Sequence, residues 1–237
     1  MTHALLHADA VEAMRALAPA SVDLIVTDPA YESLEKHRAV GTTTRLKHSW
    51  FSIFPNARFD ELFVELYRVL RRHSHLYVFC DWDTAVVMKP AGEAAGFRCW
   101  KPLIWDKKSM GMGYHYRGRY EMILFFEKGK RKLNDLSIPD VLPFKRIRAR
   151  GAYPTQKPVE LAQLLIQQSS DVGDTVLDPF AGSGSFGVAA TSIGRIFLGV
   201  DSSAAAVERA EARLAASCSS ASPWPWYSPV MDRPRRP

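Results

Sequence analysis

Val176-Leu177-Asp178-Pro179-Phe180-Ala181-Gly182-Ser183-Gly184-Ser185-Phe186-Gly187 runs from a short apolar strand into G-x-G-x-x-G and then a helix. Nineteen residues after Gly182 comes Asp201, closing the next apolar stretch, Arg195 to Asp201. This is the spacing of a nucleotide-binding βαβ unit, in which glycines let the backbone approach a ligand and the acid reaches ribose hydroxyls. It predicts an α/β fold built on an open, doubly wound, mostly parallel sheet. A dinucleotide is the ordinary ligand of such a turn. Asp178 argues against one, because an acid four residues before Gly182 sits where a pyrophosphate would lie. Its carboxylate suits an ammonium instead, and S-adenosylmethionine carries an ammonium and no phosphate.

A second strand end carries an acid too. Val22-Asp23-Leu24-Ile25-Val26-Thr27 leads into Asp28-Pro29-Ala30-Tyr31, delivering a carboxylate, a proline and an aromatic ring together. The exocyclic amine of adenine or cytosine is conjugated with its ring, so its lone pair is a poor nucleophile. Acceptors that hold both amine protons pull the nitrogen toward tetrahedral geometry and free that lone pair. Asp28 offers one acceptor and the Pro29 carbonyl a second, while Tyr31 offers a face for an extruded base. Alone, the four residues read equally well as a strand ending in an Asp-Pro turn.

The 237 residues fit one domain spanning 1–216, with a catalytic half 1–128, a basic segment 129–152 and a cofactor half 153–216. From 217 to 237 the chain is rich in Ser, Pro and Trp, which predicts a poorly ordered tail. No apolar run has the length of a membrane span, and Asp9, Glu12 and Arg15 do not suit a secretory signal, so a cytoplasmic location is expected. Cys80, Cys99 and Cys218 are far apart, and His3 and His7 fall on a strand, so no metal is expected.

The net charge of +6 is concentrated. Lys128 to Arg150 holds Lys128, Lys130, Arg131, Lys132, Lys145, Arg146, Arg148 and Arg150 against two aspartates, Asp135 and Asp140, which accounts for the whole excess. A second cluster, Lys36, His37, Arg38, Arg45, Lys47 and His48, follows the Asp-Pro-Ala-Tyr turn. Both read as DNA-contacting surfaces, or else as solvated faces.

Elsewhere strands and helices alternate. Ala4 to His7 reads as a strand, and Asp9-x-x-Glu12 as a capping box opening a helix to Leu17. Phe59, Leu62, Phe63, Leu66 and Leu70 have helical spacing, His75 to Cys80 is a strand, and the helix from Asp83 is expected to be interrupted at Pro90. Phe97 to Trp105 and Tyr120 to Glu127 read as two strands forming an antiparallel edge. Helices are predicted from Pro158 to Ser169, over 184–193 and over 203–215, with a strand at Thr175 to Asp178.

Taken together, Thr27 to Tyr31, Asp178 to Gly184 and Tyr153-Pro154-Thr155-Gln156-Lys157-Pro158 resemble the amino-group DNA methyltransferases. Their order matches the permuted β class, in which the catalytic motif precedes the cofactor motif, and the resemblance covers about residues 3–215. It implies the class I methyltransferase fold, with Asp28, Pro29, Ala30 and Tyr31 at the target amine. Asp178, Phe180, Ala181, Gly182, Ser183 and Gly184 would line the methionine end of S-adenosylmethionine, with Asp201 and Ser202 at its ribose and Asp9 and Ala10 at its adenine. Thr155 and Lys157 would hold its carboxylate. Where the family usually has a second proline, this chain has Ala30, which adds backbone freedom to the acceptor loop. A tetrapeptide beginning with Asp points to adenine N6, with cytosine N4 as the alternative. The resemblance also implies duplex DNA as substrate, a homodimer and a possible cognate restriction enzyme. Two other readings stay open at this point, a nicotinamide oxidoreductase and a DNA-binding regulator without catalysis.

Overall fold

Residues 2–33, 52–111, 114–147 and 156–219 are described here from a computed structural model. The glycine-bearing unit is as the sequence predicts. Strand β8 (Thr175–Asp178) enters the turn, helix α5 (Ser185–Ser192) leaves it, and β9 (Ile196–Asp201) returns parallel to β8. On its other side β8 pairs in parallel with β2 (Val22–Thr27), so the two acidic turns are neighbours at one rim of the sheet.

Among the described residues the sheet has nine strands. Its order is β1-β9-β8-β2-β3-β6-β5-β7, where β1 is His3–His7, β3 Leu70–Cys80, β5 Leu103–Asp106, β6 Tyr120–Lys128 and β7 Val141–Pro143, and β4 (Arg98–Cys99) also pairs with β6. Strand β2 is central. Val22, Leu24, Ile25 and Val26 are all buried, so its continuous apolar run reflects cover on both faces rather than a half-solvated strand. One cover consists of α1 (Ala10–Ala16), α2 (Phe59–Val69) and α3 (Trp82–Ala94), whose Met14, Phe63, Leu66 and Met88 pack with Ile25 and Leu76. The other consists of α4 (Val159–Ser169), α5 and α6 (Ala204–Ser219), whose Leu161, Leu165, Phe186 and Leu214 pack with Leu24, Val26 and Phe79.

Several expectations change. The antiparallel strand β6 is not at the edge. It lies between β3 and β5, with β7 outermost and parallel to β5. The stretch from Phe97 to Trp105 is two strands, with Pro102 between them unable to donate to a ladder. Helix α3 starts at Trp82, capped by Asp81, and runs through Pro90. Pro90 and Val86, whose carbonyl the ring leaves without a helical partner, are both exposed, so that side of the helix faces solvent. Strand β3 begins at Leu70, five residues earlier than expected, and α6 runs into the segment expected to be a tail. Asp9 caps α1, but Glu12 pairs with Arg15 instead of closing the box.

A polar cluster lies inside the second layer. His75, fully buried on β3, shares the Ser169 hydroxyl with Tyr77, each at 2.7 Å. Burial pushes the His75 imidazole down to about 4, against the pull of Glu127. Among the described residues no helix is long and apolar enough to cross a membrane, and no group of three or more His, Cys, Asp or Glu is placed to hold a metal.

Candidate active site

The two acidic turns are joined directly. Thr27, the last residue of β2, donates its hydroxyl to Asp178 Oδ1 at 2.7 Å, and the Phe180 N–H reaches the same oxygen at 3.0 Å. The other oxygen, Asp178 Oδ2, is buried with no hydrogen-bond partner. Burial raises this carboxyl to about 8, with Thr27 and the Phe180 amide opposing the rise. A buried acceptor without a donor is costly, and a cationic ligand would relieve it.

Beyond Asp178 the turn folds tightly. Gly182 and Gly184 adopt positive φ of 50° and 73°. A side chain at Gly184 would be strained by that backbone and would also meet Ala210 at 2.9 Å. The Ala181 amide bonds to the Val200 carbonyl, Ser183 is buried, and Arg213 from α6 grips the Ser183 carbonyl. Asp201 accepts from the Gly182 amide and the Ser203 amide, each at 2.8 Å. Each of its oxygens keeps a lone pair for a ribose hydroxyl. His7 reaches the Ser202 carbonyl at 3.1 Å, tying β1 to the end of β9.

Asp9 is held more firmly than the sequence suggests. It accepts from the Val11 and Glu12 amides and from both terminal nitrogens of Arg58, at 2.8 and 3.0 Å, while Ala10 is buried beneath it. Arg58 also lies over the Phe54 ring, and Phe54 meets Phe180 edge-on at 5.2 Å. Asp9, Arg58, Phe54 and Phe180 thus form one packed wall.

Segment 52–58 also fixes the Asp28-to-Tyr31 turn. The Phe54 amide donates to the Ala30 carbonyl at 2.7 Å, Tyr31 forms a parallel bridge with Phe54, and Glu32 accepts from the Asn56 amide. The freedom expected from Ala30 is therefore removed by a hydrogen bond from a separate segment. Tyr31 is only 8% exposed, so in this state its ring offers little face to a base. Burial and the neighbouring carboxylates raise its phenol, which stays protonated.

Asp28 is one end of a chain of alternating charge. Its Oδ2 meets Lys157 Nζ at 2.5 Å, Lys157 meets Glu121 at 2.8 Å, and Glu121 meets Lys107 at 2.8 Å. The four come from the ends of β2 and β5, the start of β6 and the approach to α4. Glu121 lies between two ammonium groups, which outweigh its burial and lower its carboxyl. Asp28 has a share in one, and burial pushes it up against the pull of Lys157. Burial alone would lower Lys157, but the two carboxylates raise it. Lys157 thus pairs with both Asp28 and Glu121. Glu121 and Lys107 were missed as site residues. The sequence hints at both through Trp105-Asp106-Lys107 and Arg119 to Phe125, which weakly resemble family segments, and gives no hint of Arg58.

The structure divides the basic segment. Strand β6 runs away from the site, so Lys130, Arg131 and Lys132 lie at the opposite end of the sheet, roughly 25 Å from Glu121. There Arg131 faces Asp171, and the Lys130 backbone bonds to His73. These three do not join the site. Strand β7 returns in parallel with β5, which leaves Lys145 and Arg146 exposed on the catalytic side. Lys36, His37, Arg38, Arg45, Lys47, His48, Arg148, Arg150 and Thr155 lie outside the described residues.

Comparison with known proteins agrees with this geometry. The chain is 32% identical over 194 residues to YubD of Escherichia coli (strain K12), named as a methylase, covering 81% of this chain and 82% of YubD. It is 29% identical to the type II methyltransferase M.HpaI of Haemophilus parainfluenzae (90% and 74% covered), and 27% to the DNA adenine methyltransferase YhdJ of E. coli (83% and 77%). TTHA0409 of Thermus thermophilus superposes with a TM-score of 0.68 at 25% identity, over 91% and 95% of the two chains. The cytosine-N4-specific PvuII DNA methyltransferase shares the fold, with a TM-score of 0.73 at 15% identity over 90% and 86%. The sequence profile of the N6/N4 DNA methylases, described as DNA methylase, matches residues 22–212. With both acidic turns inside that match, the chain belongs to the N6/N4 DNA methylase family.

Proposed function

We propose that the chain methylates the N6 amine of adenine in duplex DNA, with S-adenosylmethionine as donor. The observation carrying this reading is the Thr27–Asp178 hydrogen bond, which fixes an amine acceptor and an ammonium acceptor at adjacent strand ends. The donor's sulfonium supplies a methyl group open to attack by nitrogen. Asp178 Oδ2 would accept its ammonium, Gly182 and Gly184 would give room along the turn, and Asp201 would take the ribose. Asp28 and the Pro29 carbonyl hold the two amine protons, so the nitrogen lone pair points out of the base plane. As the N–C bond forms and the C–S bond breaks, one amine proton passes to Asp28 and on to water. Direct transfer needs no covalent enzyme intermediate.

Adenine is favoured over cytosine by the Asp that opens the tetrapeptide, and by the name of one relative as an adenine methyltransferase. A tritium-transfer assay from labelled S-adenosylmethionine to unmethylated bacterial DNA, followed by mass analysis of the nucleosides, tests it. N6-methyladenine is expected. N4-methylcytosine as the sole product would overturn the adenine assignment, and no transfer to DNA would overturn the activity.

A further inference from the structure

We propose that the connection between β5 and β6, residues 107–111 and 114–119, is a DNA-contacting arm whose Tyr114 and Tyr116 stack on bases beside the extruded nucleotide. The inference rests on the DNA methyltransferase reading and adds a contact surface to it. Asp106 pairs with Tyr120 in the sheet, so the arm rises from the catalytic rim. At its foot Lys107 touches Glu121, which through Lys157 holds Asp28.

The arm has a built stem. Arg119 clasps Asp106 with two bonds at 2.7 and 2.8 Å, the Lys107 amide meets the Arg119 carbonyl, and the Gly111 amide meets the Gly118 carbonyl at 2.7 Å. Arg117 Nε closes onto the Gly111 carbonyl. On this stem Tyr114 is 97% exposed and Tyr116 fully so, with Met110 also exposed. Large apolar groups gathered on a braced projection mark a contact surface. Residues 107–119 contain Lys107, Lys108, Arg117 and Arg119 and no acid. Asp106 and Glu121 at the foot engage Arg119 and Lys107; Lys108 also lies 3.5 Å from Asp106 but its side chain is 43% exposed, so it and the exposed Arg117 are the cations that would reach the phosphates. An acidic protein would also suit the charge. Two exposed aromatic rings among cations, beside a site that needs a base withdrawn from its stack, favour DNA.

The test uses the full chain and unmethylated bacterial duplex DNA. The double variant Tyr114→Ala/Tyr116→Ala should lower kcat/KM for DNA about ten-fold or more, with melting temperature and S-adenosylmethionine affinity unchanged. Lys108→Gln/Arg117→Gln should make the fall of log kcat/KM with log salt shallower by about 2, near one unit per lost phosphate contact. Wild-type kcat/KM in the tyrosine variant, or an unchanged salt slope in the charge variant, overturns the arm. So does a tyrosine variant whose subunit mass by light scattering differs from wild type, which would make the rings a subunit interface. Methyl transfer by the wild-type chain in the same assay separates failure of the arm from failure of the activity.

Discussion

Lys157→Met and Glu121→Gln should move the acid limb of the methylation rate in opposite directions. In the proposed reaction Asp28 accepts an amine proton only when ionised, so its titration would set the low-pH side of the profile, near pH 6. Lys157 lies at contact distance and favours the ionised form. A unit charge at about 4 Å is worth about 4 kcal/mol at an effective dielectric of 20. The Asp28 side chain is 19% exposed and water will enter the gap, so one to three pKa units is the realistic span. Without Lys157 the limb rises to roughly 7–9, and the rate at pH 7 falls roughly two- to hundred-fold.

Glu121 acts with the opposite sign. It shares one ammonium with Asp28, so the two carboxylates are no more than about 5 Å apart. Removing its charge relieves repulsion and moves the limb down by about one unit. Lys107, Asp178 and Tyr31 also face this pocket and are unchanged in both variants. The assay is single-turnover tritium transfer between pH 4.5 and 9, with cofactor affinity and melting temperature as controls. A common loss of rate from damaged packing would leave both limbs in place. Limbs that stay put, or that shift in the same direction, would refute the electrostatic role.

Three further outcomes are expected. Asp178, raised to about 8, holds about 0.9 proton at pH 7 and must release it to solvent when an ammonium arrives. Calorimetric titration of S-adenosylmethionine in buffers of different ionisation enthalpy should show that release, and Asp178→Asn should bind more weakly without it. His75, held near 4 against an unfolded value of 6.5, leaves the unfolded chain binding more protons between those two pH values. Stability is therefore intact above about 6.5 and declines as pH falls to 4, by about 3 kcal/mol; a His75→Gln variant should show a flatter melting profile over that window. In Gly187→Ala the new methyl would meet the Phe197 ring at 2.6 Å. Overpacking of this kind costs about 1–3 kcal/mol, and an unchanged urea midpoint would count against the contact.

The parts legible in sequence are those where chemistry and secondary structure share a short segment. Strands β2 and β8 end where the residues predict, because an apolar run meets Asp-Pro in both. The glycine turn, the permuted order and the antiparallel β5–β6 pair were legible for the same reason. What stayed hidden was contact between distant segments. Lys157 lies in a motif, but its partner Glu121 lies on a strand 36 residues earlier. Basic residues cluster in sequence, yet the direction of β6 sends Lys130 to one rim, and β7 brings Lys145 to the other. A three-residue strand in a polar stretch has too few positions for any periodicity to show.

That return strand has a bearing on how such an enzyme can acquire new specificity. The chain leaves the catalytic rim along β6, crosses the depth of the sheet, and comes back through β7 with its end aimed at the substrate side. Extra residues added at the far turn would hang away from DNA and add no base contacts. Extra residues added just after Pro143 would grow toward the DNA while every ladder in the sheet stayed intact. The end of β7 is thus a place where a recognition element can be lengthened or exchanged as a module, and the two acidic turns need not change with it.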